Sequence, residues 1–240
     1  MFFKAQNDDF TAGILYQDAV REEKEWRMQQ GNQHDVMVLD EMLSEVRKLG
    51  YKYRYYADIT NRTHCDEELL KVLLQYIGRY DDEGISAELV GVVGRKSFTA
   101  ATEIILNNYR NSSERTKCMQ AGFYDNALYQ ISDKRFIDRY IEILKSPHDA
   151  AGFPLTMRML AKWGVADAKP YFWQYLSARV LFRDQRTADL EYTAMEALSY
   201  YTDEDGSILR ALENKSKDSN ADIAASAKRA IKRLQKKSKK

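Results

Sequence analysis

Cysteine, proline and histidine are all scarce in this chain of 240 residues. Cys65 and Cys118 stand far apart and offer no disulfide framework. His34, His64 and His148 are isolated from one another, so none belongs to a cluster with metal-ligand spacing. The adjacent His64–Cys65 pair points two ways on a helix and reads as a helix-entry histidine beside a partly buried thiol. Only Pro147, Pro154 and Pro170 break the backbone register. No apolar run approaches the roughly 18 residues of a membrane span. The start, MFFKAQNDDF, has two phenylalanines but no apolar core of a signal peptide, so the expected location is the cytoplasm. The sequons at Asn61, Asn111 and Asn214 then read as chance matches.

Catalytic signatures are absent too. There is no G-x-S-x-G, no P-loop and no G-x-G-x-x-G. The stretch GVVGRKS (91–97) has the wrong spacing for a phosphate loop and no preceding β-strand; Gly91 and Gly94 there suit close packing and a helix end. No catalytic residue, cofactor site or metal site is assigned.

What the chain does have is helical periodicity. Apolar residues make up 44% and charged residues 30%, a globular composition, and the apolar ones recur at three- and four-residue steps. Two charged amphipathic helices are predicted at about 8–30 and 33–49, the second with a stripe of Val36, Leu39, Met42, Leu43 and Val46. A connector without clean period follows, and Asp66 is placed to cap a helix over 67–80. Shorter helices are predicted over 84–94, 97–109, 113–130, 133–145, 149–163, 168–181, 186–201, 206–215 and 220–236. Short polar linkers such as TDEDG and KDSN join them, as between antiparallel neighbours in contact.

Two of these helices repeat one another. Leu190, Ala194, Ala197, Leu198 and Tyr201, shifted by 33 residues, become Ile223, Ala227, Ala230, Ile231 and Leu234. A constant period in this range marks a repeat. Alanines on an inner stripe let a neighbouring helix approach closely. The apolar–x3–Ala–x2–Ala–Leu stripe, the Asp-containing turn TDEDG and the returning run SILRAL together resemble the HEAT family of helical repeats. Looser echoes occur at Tyr124, Ala127 and Leu128 and at Thr156, Met159 and Leu160. The likeness covers about 66–236 and is specific over about 186–235. It implies an all-α fold, a right-handed superhelical stack of antiparallel helix pairs, with a divergent helical part at 1–65 and a basic tail at 237–240.

Solenoids expose a concave surface lined by the second helix of each pair. The resemblance therefore implies a non-enzymatic protein-interaction module, with Arg158, Lys162, Glu191, Tyr192, Met195, Glu196 and Tyr200 projecting toward a protein partner. Small HEAT-like proteins include immunity proteins that neutralise toxins. The charge distribution bears on this: the formal net charge is +1, yet the eight Lys/Arg from Lys228 onward are met by no acid, which leaves −7 on the rest. Such a body suits a basic partner.

The alternative class is a nucleic-acid binder. YKYRYY (51–56) interleaves tyrosines with Lys52 and Arg54, as for stacking bases and neutralising phosphates; packing of the rings on the preceding helix, with the cations snorkelling, is the plainer reading. The basic tail reads either as a phosphate contact or as a complement to a helix dipole. HEAT-like alkylpurine DNA glycosylases hold damaged DNA with Trp, Asp and Arg. Trp163, Asp167, Trp173, Arg158 and Arg179 are those residue types, but Gly164 separates Trp163 from Asp167 and the tandem-Trp pattern is missing.

Overall fold

The computed structural model describes residues 32–53, 56–60, 66–176 and 185–237. The helix expected at 8–30, Arg54, Tyr55, Asn61, His64, Cys65, Arg179 and the last three residues lie outside this set. Among the described residues every regular element is helical and there is no strand. None of these helices is long and apolar enough to cross a membrane.

The chain divides into two compact units, Met1–Val93 and Gly94–Lys240. In the first, α1 (Gln33–Lys48) opens at Asn32, whose side chain accepts the Asp35 N–H. It buries Val38, Met42, Leu43 and Val46. Val36 and Leu39 are only half-buried, so the inner stripe is centred on the 38–42–46 row. α2 (Tyr56–Thr60) packs on α4 (Glu83–Val93), and α3 (Glu67–Leu74) packs on both α1 and α4. Asp66 caps α3 as expected, accepting the Leu69 N–H at 2.9 Å. The helix expected over 67–80 stops at Leu74, and Gly78 turns the chain at φ 81°.

The first unit extends to Val93. The physical reason lies in the contacts that hold 76–82 on α1. The Asp35 carboxylate accepts the N–H groups of Asp81 and Asp82 at 2.7 and 3.0 Å, and Arg79 forks onto Glu41 at 2.7 and 3.1 Å.

The second unit runs α5 (Thr102–Asn111), α6 (Glu114–Ile131), α7 (Ile137–Leu144), α8 (Pro147–Ala151), α9 (Pro154–Trp163), α10 (Lys169–Leu176), α11 (Gln185–Leu198), α12 (Ser207–Lys215) and α13 (Ala221–Lys237). The single helix expected over 149–163 is two. Phe153 precedes Pro154 and is held off the α region at φ −123°, ψ 47°, so the chain turns there and α9 restarts with proline in its first turn. Gly152 fits where a side chain would not: a Cβ there would lie 2.6 Å from Ala121 Cβ on α6.

The longer helices pack in sequence, α6 on α9, α9 on α11 and α11 on α13, while α5, α10 and α12 lie against α6, α11 and α13 respectively. Nine of the ten repeat positions are buried, Ile231 being half-buried. Ala194, Ala197, Ala227 and Ala230 are among the buried ones. The TDEDG turn is closed by Asp203, whose two carboxylate oxygens accept the N–H groups of Ile208 and Leu209 at 2.9 Å each. Gly206 supplies the left-handed residue at φ 70°.

Candidate protein-interaction surface

A row of cations and aromatic rings runs across the ends of α6, α9, α11 and α13. Lys162, near the end of α9, places its Nζ 5.7 Å from the ring centroid of Tyr129 on α6 and 5.7 Å from that of Tyr200, just past α11. Arg233 on α13 covers the same Tyr200 ring at 4.7 Å. Cations over aromatic faces at these distances gain about 0.5–1 kcal/mol each at exposed sites. Helical spacing explains the alignment: each residue falls in or just after the last turns of its helix, and the helices pack successively.

Beside the row runs an ion-pair chain. Glu196 on α11 receives Arg158 from α9 at 2.7 Å and Arg233 from α13 at 3.2 Å. One carboxylate thus joins three helices. Arg233 also donates to Ser199 Oγ at 3.3 Å, and Lys237 to the Tyr200 carbonyl at 2.6 Å. Arg158, Glu196 and Arg233 border a depression of about 560 Å³, which Tyr192, Asp222 and Arg229 also line. Arg229 is exposed and makes no ion pair among the described residues.

A second depression of about 540 Å³ adjoins Lys162. Met159, Ile131, Tyr129 and Trp163 form its apolar part, and Lys96 stands on its rim. Lys134 covers the Trp163 ring at 5.4 Å.

The seven residues expected on the surface divide accordingly. Arg158, Lys162, Tyr192, Glu196 and Tyr200 come together on the ridge and reach solvent. Glu191 and Met195 do not: both are fully buried. They lie between rows already committed to neighbouring helices, and Glu191 is held by Lys215 of α12 at 2.5 Å. A change at Glu191 therefore reads out packing, not partner contact. Arg229, Arg233 and Tyr129 were missed, because their membership depends on how α6 and α13 meet the intervening helices. The basic run at 228–237 was the one signal pointing to two of them.

Other candidates resolve into structural roles. Of the YKYRYY tyrosines, Tyr53 is buried, Tyr51 donates its hydroxyl to the cap residue Asp66, and Tyr56 donates to the Ile85 carbonyl at 3.0 Å. Lys52 is exposed. Ligand-type atoms of His34, Asp35 and Asp81 lie within 4.8 Å of one another, but both Asp35 oxygens already accept backbone N–H groups. Asp167 sits in a short 3-10 turn beyond Gly164, whose φ is 73°, as the expected helix end requires.

Two buried aspartates fix the frame. Asp125 on α6 accepts the N–H groups of Leu155 and Thr156 at 2.8 Å each. Burial pushes its pKa up to about 6, against the opposing pull of those two bonds. Asp133 goes the other way: the Arg135 guanidinium hydrogen-bonded to it holds its carboxyl below the usual range. No protein-family model, curated protein or solved structure matches this chain.

Proposed function

We propose that this chain is a non-enzymatic protein-interaction module, its second unit a HEAT-type right-handed stack of antiparallel helix pairs. A protein partner binds along the ridge of α6, α9, α11 and α13. The observation that carries the reading is the row Tyr129–Lys162–Tyr200–Arg233, which runs across the ends of α6, α9, α11 and α13. A linear array of Tyr, Lys and Arg with two shallow depressions suits an extended partner surface, and Tyr and Arg are enriched in interfaces. The stack is supported by the order in which α6, α9, α11 and α13 pack and by the burial of the recurring alanines of α11 and α13.

The ridge revises the partner's expected charge. Three arginines against Glu196 and Asp222 line the larger depression, so this face favours an acidic partner although the chain outside its C-terminus is net acidic. A nucleic-acid partner is the second reading, favoured by the same row, since tyrosines and cations also hold single strands. Placing a photo-crosslinking residue at Gln130 or Arg229 in the full chain, in its native cell, separates the two. The reading expects a discrete protein adduct at both positions, lost in the Lys162→Glu variant. Adducts to nucleic acid alone, or protein adducts indifferent to Lys162, would overturn it.

A further inference from the structure

The two depressions are joined by the ladder itself. Lys162 lines the apolar one and stands over Tyr200; Arg233 lines the arginine-rich one and covers the same ring. Ligand chemistry differs between the two ends. At one end Met159, Ile131 and Trp163 offer an apolar concavity. Its rim carries the left-handed, non-glycine residues Ser97 and Ser132, at φ 74° and 55°. At the other end Arg158 and Arg233 share the Glu196 carboxylate, and Arg229 and Asp222 line the same depression.

We infer that the ridge is a two-point site for an acidic segment of a partner protein: one apolar or aromatic side chain seats in the Met159–Trp163 depression, and flanking carboxylates meet Arg229 and Arg233. This rests on the protein-interaction reading above and names the class of its partner. Charge complementarity selects the occupant. Five cations, Lys96, Lys162 and the three arginines, line the depressions against two carboxylates, and guanidinium forks match carboxylates in a bidentate fashion. Glu196 and Asp222 stand inside the arginine-rich end and repel a continuous phosphodiester chain, whereas a peptide can present an N–H or a basic side chain to Asp222. An apolar concavity of this size also accepts a Phe or Leu anchor, the kind of contact on which interface affinity concentrates.

The test uses the full chain and fluorescein-labelled probes: a short Glu-rich peptide with one central Phe, the same peptide with Ser for Phe, and oligo-dT of similar length. Two variants keep the fold testable, because each changes an exposed side chain: Arg229→Glu and Gln130→Trp, the latter overhanging the apolar depression. Circular dichroism checks their helicity. The Phe peptide should bind saturably, and each variant should weaken it by about tenfold or more. Ser for Phe should cost a similar factor, and the Ser peptide should be insensitive to Gln130→Trp. Equal binding of the Phe and Ser peptides would overturn the anchor. Binding of oligo-dT with none of either peptide would overturn both the inference and the protein-interaction reading. Failure of both peptides, while the ridge cross-links of the native protein partner persist, would overturn the inference alone.

Discussion

Asp125, midway along α6, accepts the backbone N–H of Thr156 at 2.8 Å and so holds the first turn of α9 in place from the preceding long helix. The carboxylate is almost wholly buried, and burial sets its pKa near 6. In the unfolded chain an aspartate titrates near ~3.9. The folded state thus keeps this proton after the unfolded chain has lost it. The contribution to stability is fully present below about pH 4, declines as pH rises to about 6 and is gone above that, by at most roughly 3 kcal/mol. Asp125→Asn abolishes this part of the profile. The urea midpoint of the parent should fall relative to that of Asp125→Asn as pH rises from about 4 to 6; parallel curves would show that Asp125 titrates normally.

Gly152 is placed by contact, not by backbone conformation. Adding a methyl group sets it 2.6 Å from Ala121 Cβ, well inside van der Waals contact, so Gly152→Ala should cost about 1–3 kcal/mol through forced separation of α6 and α8. Ala121→Gly creates the missing space. In a double-mutant cycle the pair should couple favourably, even though Gly in a helix interior costs about 1 kcal/mol by itself. Strict additivity would mean that the two elements do not press on each other.

The alanines of α13 give a sharper contrast. Ala230 is buried and Ala225, on the same helix, is exposed. Ala230→Leu should destabilise by about 1–3 kcal/mol through overpacking, while Ala225→Leu should stay within roughly 0.5 kcal/mol of the parent. Thermal or chemical denaturation compares them directly. Equal effects would remove the packing argument for the repeat.

Glu196 binds two arginines while remaining partly open to water. Solvent screening limits what such pairs are worth. Glu196→Gln should therefore cost only about 0.5–1 kcal/mol at low ionic strength, less in high salt. Freeing Arg158 and Arg233 should at the same time strengthen binding of acidic peptides. A large stability loss, or unchanged peptide affinity, would contradict this account of the network.

Much of this was readable from local pattern. The all-helical class followed from the three- and four-residue apolar spacing, and the inward placing of Ala194, Ala197, Ala227 and Ala230 from that same spacing. Asp66 as a cap and Gly164 as a helix end were equally local, since caps and left-handed residues are decided within a few positions. The break at Phe153 was readable in principle from Pro154, but the periodicity on either side of it masked the turn.

Other properties depended on which helices meet. Met195 looked like an outward residue because one helix has no way to declare how many neighbours it will have; α9, α10 and α13 all pack on α11 and enclose it. The sequence places Glu191 on the surface, yet it is fully buried and Lys215 reaches it from α12. The row Tyr129–Lys162–Tyr200–Arg233 spans more than a hundred residues of sequence and exists only because four helix ends align. The sequence by itself determined the helices, their caps and the small residues that let them approach. Tertiary structure alone decided the ridge, because short-range forces between side chains act across helices as readily as along them.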